Sequence, residues 1–126
     1  MSNIRYTLIT GASTGIGYEL SKVFAKDKHN LILVSRNKTK LQAVKDELLK
    51  YNIDIKILAL DLGNDEDIQS LFNYIEINKL VVNILINNAG IGSFGDFNDI
   101  EWKMEEALID INIKALTHLI KYFLPK

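Results

Sequence analysis

A glycine-rich stretch near the start of the chain has the residue types and spacing of an anion-binding loop. Residues 10–17 read Thr-Gly-Ala-Ser-Thr-Gly-Ile-Gly and directly follow an apolar run at residues 6–9. Glycine tolerates positive φ and lets the backbone approach a ligand closely, while the first N–H groups of a following helix attract an anion. A strand, this loop and a helix in succession therefore predict a site for a nucleotide pyrophosphate. For the loop taken by itself, a tight turn is the alternative.

Length, charge and composition exclude several other kinds of protein. The chain has 126 residues, enough for one domain, and its 15 basic and 16 acidic residues give a formal net charge of −1. This balance predicts no nucleic-acid partner and no membrane-surface binding. The sequence has no cysteine, which excludes disulfides and thiolate metal sites, and no apolar segment of membrane-spanning length. We predict a cytoplasmic protein without a targeting segment and without a metal site.

Apolar runs alternate with amphipathic stretches four times along the chain. The predicted strands cover residues 5–10, 30–35, 54–60 and 81–87, and the predicted helices cover residues 15–28, 38–51, 65–78 and 101–124. Strands that are apolar on both faces and separated by helices form a parallel sheet covered on both sides. Because crossovers are right-handed, we predict an α/β fold, a Rossmann-type doubly wound parallel sheet of four strands with flanking helices. Residues 1–126 are predicted to form a single domain.

Apolar residues at helical spacing predict which face of each helix is buried. They are Ile16, Leu20, Val23 and Phe24 in helix 15–28, Leu41, Val44, Leu48 and Leu49 in helix 38–51, and Ile68, Leu71, Phe72 and Ile75 in helix 65–78.

Three further motifs follow the glycine loop at the ends of later elements. Asp61-Leu62 follows the third strand, Asn87-Asn88-Ala89-Gly90 follows the fourth, and Asn112 lies in the last helix. Together with the Thr-Gly-x-x-x-Gly-x-Gly spacing, these motifs resemble the classical short-chain dehydrogenase/reductase family in order and position. The match covers essentially the whole chain. The resemblance implies an oxidoreductase that transfers a hydride between a nicotinamide and a carbonyl or alcohol carbon.

The resemblance also implies a role for each motif residue. The loop amides and the helix start hold the pyrophosphate, Asp61 and Leu62 contact the adenine, and the Asn-Ala-Gly segment borders the ribose, while Asn87 bonds the sheet backbone. For Asp61, a structural place near the start of the third helix is the alternative. The implied cofactor-binding residues are Gly11, Ser13, Thr14, Gly15, Ile16, Gly17, Ser35, Arg36, Asp61, Leu62, Asn88, Ala89 and Gly90.

The choice of cofactor depends on the end of the second strand. A cofactor with a free 2′-hydroxyl requires a carboxylate there, whereas an arginine accommodates a 2′-phosphate. Ser35 occupies the carboxylate position, and Arg36, one of only two arginines, follows it. We therefore predict NADP(H) over NAD(H), with a solvated surface arginine as the alternative. Thr14 occupies the family's other basic position, so Arg36 is the main support.

The catalytic residues of the family are largely missing from the sequence. The resemblance implies a tetrad of Asn, Ser, Tyr and Lys, of which Asn112 is the member present. Tyr18 and Tyr122 each precede a lysine by four residues. The first pair lies in the first predicted helix, remote from the expected nicotinamide pocket. In the second pair, Pro125 breaks the helical turn between Tyr122 and Lys126, and the strand with the family's catalytic Ser does not precede it. We predict the amino-terminal, nucleotide-binding part of such an enzyme, truncated before the carboxy-terminal catalytic half and inactive as given. The alternative is a stand-alone non-catalytic nucleotide-binding or interaction module. For Asn112 itself, the alternative to a catalytic role is a side chain that simply bonds backbone.

Two apolar surfaces predict contacts between copies of the chain. The last helix is apolar on more than one face. The resemblance implies a sheet that continues past the fourth strand, so that strand is predicted to be an exposed edge. We predict self-association through the last helix, the edge strand, or both.

Overall fold

A parallel sheet of four strands forms the centre of the computed structural model, which describes residues 4–125. The strands are β1 (Arg5–Thr10), β2 (Asn30–Ser35), β3 (Ile55–Ala59) and β4 (Val81–Ile86), arranged in the order β3-β2-β1-β4. Each neighbouring pair is parallel. The predicted fold class is therefore confirmed. Residues 1–3 and 126 of the predicted domain lie outside the described residues.

Five α-helices connect or follow the strands. They are α1 (Gly15–Lys26), α2 (Lys38–Leu48), α3 (Asp65–Ile77), α4 (Trp102–Ile109) and α5 (Leu116–Phe123). Helix α1 ends two residues before its predicted limit because Lys28 adopts a left-handed φ of 66°. Helix α2 is followed by a 3₁₀ turn over Leu49–Tyr51. Over residues 4–125, no helix is both long enough and apolar enough to cross a membrane.

The predicted helix 101–124 is interrupted by a π segment. Residues Asp110–Ala115 form this π segment between α4 and α5, and the flanking residues keep helical dihedrals. A π turn inserts one extra residue, which hydrophobic periodicity does not reveal, and such insertions are frequent at functional sites. The predicted single helix is therefore corrected to two helices joined through a π segment.

Helices cover both faces of the sheet. Buried residues of α1 and α2 pack on one face with Ile9, Leu31 and Leu33, whereas α3 and α5 pack on the other face with Leu8 and Ile32. The sheet is thus doubly wound, and the loops at the carboxyl ends of its strands are held on a rigid core.

The predicted buried face is correct for α3 and only half correct for α1. Leu20 and Phe24 are partly buried, and Phe24 packs against the core on one face of the sheet. Ile16 and Val23 are 72% and 60% exposed, and the buried positions of α1 are the small residues Gly17, Ser21 and Ala25. A helix that lies close to the sheet can place only small side chains inward. Leu49 is also exposed because it belongs to the 3₁₀ turn after α2. All four predicted residues of α3 are buried.

Candidate functional site

The loops that follow the four strands meet at one edge of the sheet and surround a cavity of about 690 Å³. Nine of the predicted cofactor-binding residues line it: Gly11, Ser13, Thr14, Ser35, Arg36, Asp61, Leu62, Ala89 and Gly90. The other predicted site residues, Gly15, Ile16, Gly17, Asn88 and Asn112, are not among the lining residues. Sequence reasoning missed Val34, Asn37, Lys38, Lys40, Leu60 and Ile111, which line the cavity together with Ile91. The two lysines at the start of the second helix, Lys38 and Lys40, could have been predicted from the sequence as basic residues beside an anion site.

The glycine loop packs tightly against the end of β4. Gly11 has φ +62°, and a Cβ there would lie 2.9 Å from Asn88 Nδ2 and 3.0 Å from Ala89 Cα. A Cβ on Gly17 would overlap the carbonyl oxygen of Gly11. Gly15 also adopts a left-handed φ of +57°, but a Cβ there would meet open space. Packing thus requires glycine at residues 11 and 17, whereas the backbone conformation requires it at residue 15.

The amino terminus of α1 has no side-chain cap. Asn37 and Asn64, the residues before α2 and α3, each accept a backbone N–H with their side chains. Thr14, the corresponding residue before α1, makes no such bond, and the first turn of α1 has no acidic residue. The first N–H groups of α1 therefore remain able to donate to an anion beside the glycine loop.

Thr10 ties the glycine loop to the segment after β4. Its buried Oγ1 accepts from Asn88 N at 3.0 Å and from Ala89 N at 2.9 Å. The Asn88 side chain in turn donates to the carbonyl oxygen of Gly11 at 3.2 Å. Asn88 thus stabilises the glycine loop through this side-chain hydrogen bond. Asn87 lines a second cavity beside β4 and α5, and its bond to the sheet backbone stays a prediction.

Replacing Thr10 with valine is expected to lower the free energy of unfolding by about 1–3 kcal/mol, the cost of one unsatisfied N–H group. The isosteric methyl group leaves Ala89 N–H without its acceptor, while Asn88 N–H keeps its second acceptor, the carbonyl oxygen of Ile86, at 3.0 Å. Urea denaturation measures the change. Thr10→Ser, which keeps the hydroxyl, is the matched control. Equal stability of Thr10→Val and wild type would show that this bond pattern contributes little.

The end of β2 presents hydrogen-bond donors to the cavity. Ser35 Oγ accepts from Asn37 N at 3.2 Å and donates its proton to Ser13 Oγ at 3.0 Å. Because the Ser13 oxygen is the acceptor in this pair, its own proton can point into the cavity. Arg36 lines the same wall. The corner formed by Ser13, Ser35 and Arg36 therefore suits an anionic group.

Asp61 lies in the cavity wall and also holds the turn that precedes α3. Its Oδ1 accepts from Gly63 N at 2.9 Å, and its own N–H donates to Asp67 Oδ2 at 2.7 Å. The residue that caps α3 is Asn64, so Asp61 is not the capping residue. Its second carboxylate oxygen remains able to accept from a ligand, and the adenine contact stays a prediction.

Asn112 pairs with the peptide backbone of Ile91. Its Oδ1 accepts from Ile91 N at 2.9 Å, and its Nδ2 donates to Ile91 O at 2.8 Å. A Cβ on Gly90 would lie 3.0 Å from Asn112 Oδ1. The Asn112 side chain therefore bonds backbone, as the alternative interpretation of this residue expected. These bonds fix the position of residues 90–91 at the cavity.

Comparison with known proteins identifies the family. A sequence model described as short chain dehydrogenase matches residues 5–126. The chain belongs to the short-chain dehydrogenase family. It is 44% identical over 86 residues to a very-long-chain 3-oxoacyl-CoA reductase of Candida glabrata, covering 68% of this chain and 24% of the relative. It is 32% identical over 126 residues to a reductase of the same name from Anas platyrhynchos, covering 95% and 40%.

Solved structures of short-chain dehydrogenases have the same fold. A short-chain dehydrogenase from Sphingobium yanoikuyae in complex with NADPH superposes with a TM-score of 0.89 at 34% identity, covering 96% of this chain and 48% of that one. A ketone-specific alcohol dehydrogenase from Comamonas testosteroni gives a TM-score of 0.87 at 31% identity, covering 95% and 48%. The chain thus spans about half the length of these structures and less of the curated relatives above.

Neither tyrosine that precedes a lysine by four residues is suited to short-chain dehydrogenase catalysis. Tyr18 donates to Glu47, and this bond raises its pKa. Tyr122 stacks on Phe72 with ring centroids 3.8 Å apart, and burial raises its pKa to about 12. A general base near neutral pH requires the opposite shift. Lys126 lies outside the described residues.

The two histidines have structural surroundings. His29 Nδ1 lies 3.1 Å from the buried Thr7 hydroxyl, and His118 packs edge-on against Phe72. Within residues 4–125, no cluster of three or more His, Cys, Asp or Glu side chains could hold a metal ion.

Proposed function

We propose that this chain is the NADP(H)-binding amino-terminal part of a short-chain dehydrogenase/reductase that transfers a hydride between the nicotinamide and a carbonyl or alcohol carbon. The main support is the uncapped start of α1 beside the glycine loop, which leaves N–H donors for a pyrophosphate. The cavity beside it is lined by residues from all four loops.

The preference for NADP(H) is supported by the donors at the end of β2. Ser35 stands where a carboxylate would accept from a 2′-hydroxyl, and its hydroxyl points to Ser13 instead. Arg36 lines the same wall and offers a charge-assisted contact worth about 1.5–3 kcal/mol to a phosphate. The solved relative from Sphingobium yanoikuyae, which contains NADPH, is in line with this choice.

Calorimetric titration of the 126-residue chain with NADPH and NADH tests the proposal. We expect NADPH to bind at least about tenfold more tightly than NADH, as one charge-assisted contact provides. Equal affinities would contradict the NADP(H) preference alone. Binding of neither cofactor would contradict the nucleotide-binding function itself. The names of the curated relatives make a 3-oxoacyl-CoA the carbonyl substrate to assay first with the whole protein.

We also propose that copies of the chain associate through the long helical segment α4–α5. Trp102, Ile109, Ile113 and Ile120 are large apolar residues that remain exposed along it. They come from α4, the π segment and α5, so exposed apolar side chains occur along the whole segment. Strand β4, which pairs only with β1 among the described residues, extends the unpaired surface.

Substituting Ile113 with lysine is expected to shift the chain toward monomer at concentrations where wild type associates. A charge on the apolar face must be desolvated in the interface, which opposes association. Sedimentation velocity over a concentration series measures the change. Val23→Lys, at an exposed apolar site on α1, is the control and should associate as wild type does. A wild-type protein that stays monomeric throughout would contradict the proposal.

A further inference from the structure

Two further cations line the cavity that contains the corner formed by Ser13, Ser35 and Arg36. They are Lys38 and Lys40, two exposed residues from the first turn of α2. Asp61 is the only acidic residue among the lining residues. Neither lysine forms an ion pair within the part of the chain that the structure describes. The positive charge on this wall is therefore not neutralised by the protein.

The backbone of Lys40 is fixed relative to the corner by a continuous series of hydrogen bonds. Lys40 N donates to Asn37 Oδ1 at 3.0 Å, and Asn37 N donates to Ser35 Oγ. Ser35 in turn donates to Ser13. The start of α2, the end of β2 and the glycine loop are thus joined, and the Lys40 side chain begins at a defined point beside them.

The direction of a helical side chain favours Lys40 over Lys38. Side chains in a helix lean toward its amino terminus, so each covers the turn that precedes its own Cα. For Lys40, that preceding turn contains Arg36 and Asn37. Lys38 is the first residue of α2 and has no preceding helical turn to cover.

We propose that Lys40 is a second cationic ligand of the cofactor's 2′-phosphate, which it shares with Arg36. This inference rests on the proposed NADP(H) function. A phosphate monoester carries close to two negative charges near neutral pH, more than one arginine neutralises. The glycine loop has Thr14 at the position where a basic residue would assist, so α2 supplies the second charge instead. Arg36 offers a planar fork and Lys40 a mobile point charge, which can bind different oxygens.

Titration of NADPH and NADH against four variants tests the role of Lys40. We expect Lys40→Ala to weaken NADPH binding about tenfold and to leave NADH binding within about twofold of wild type. Lys40→Arg should keep most of the NADPH affinity. Lys38→Ala should change the ratio less than Lys40→Ala, and Lys50→Ala, which removes a lysine beside Tyr51 outside the cavity, should not change it. Circular dichroism confirms that each variant is folded.

The outcomes separate this inference from the proposed function. If wild type prefers NADPH and Lys40→Ala keeps the same ratio of affinities, or if Lys38→Ala alone lowers it, the assignment of Lys40 is overturned and the proposed function stands. If wild type binds the two cofactors equally or binds neither, the NADP(H) proposal fails and the role of Lys40 fails with it. Titration with 2′,5′-ADP and ADP repeats the comparison without the nicotinamide.

Discussion

Gly17→Ala is expected to lower the free energy of unfolding by about 3 kcal/mol and to abolish NADPH binding. The added Cβ would overlap the carbonyl oxygen of Gly11 and crowd the Asn88 side chain. Both groups are part of the packing between the glycine loop and β4, so α1 must move away from the sheet. Overpacking of this kind costs about 1–3 kcal/mol, and rigid backbone on the other side places this site at the upper end. Urea denaturation and calorimetric titration measure the two effects.

Two other glycines serve as controls for this experiment. A Cβ on Gly92 meets nothing within 4 Å, and Gly92→Ala should unfold as wild type does. Gly15 also has free space but a φ of +57°, so Gly15→Ala should cost about 1 kcal/mol from backbone strain alone. The order Gly92, Gly15, Gly17 in increasing cost is the expected result. A Gly17→Ala protein as stable as the Gly92→Ala protein would contradict the close approach of α1 to the loop.

The double substitution Ser35→Asp with Arg36→Ala is expected to reverse the cofactor preference. A carboxylate at residue 35 would accept from the 2′-hydroxyl of NADH and repel a 2′-phosphate, while loss of Arg36 removes its charge-assisted contact. NADPH affinity should fall about a hundredfold, the upper end of what one such contact and the added repulsion provide. NADH affinity should rise or stay unchanged. Parallel titrations with both cofactors measure the ratio.

Arg5 provides the matched control for the arginine. It is the only other arginine in the chain and lies at the start of β1, at the opposite end of the sheet from the cavity. Arg5→Ala removes the same charge and should leave the ratio of NADPH to NADH affinity unchanged. A similar fall in both Arg5→Ala and Arg36→Ala would mean that net charge, and not the position of Arg36, sets the preference.

Local sequence patterns were sufficient for the fold but not for every packing detail. The strands were predicted within about two residues because buried parallel strands read as continuous apolar runs. Ile16 and Val23 of α1 were predicted wrongly because periodicity counts large apolar residues, while close approach to the sheet places Gly17, Ser21 and Ala25 inward. The π segment, which contains Asn112, was missed because hydrophobic periodicity does not reveal the extra residue of a π turn.

In the candidate site too, some residues could be predicted from local sequence, and others depend on contacts between distant parts of the chain. Gly11, Arg36 and Asp61 were predicted from the glycine spacing, the position after the second strand and the family resemblance, and all three lie where parallel strands end at one edge of the sheet. The placement of Lys40 depends on the orientation of α2 relative to the end of β2, where Asn37 N donates to Ser35 Oγ and Asn37 Oδ1 accepts from Lys40 N. The role of Asn88 depends on the distance between two loops that are far apart in sequence. The spacing of residues along the sequence gives neither the orientation of α2 nor the distance between these loops.

The pairing of Asn112 with Ile91 has a consequence for how the loop after β4 can move. A primary amide offers one donor and one acceptor at the separation of a peptide group, so the two bonds act as a clasp between the π segment and the loop. Aspartate lacks the donor, and glutamine is one methylene too long. The two bonds hold the start of the loop against the π segment, so movement of the residues that follow is expected to leave Gly90 and Ile91 in place beside the cavity.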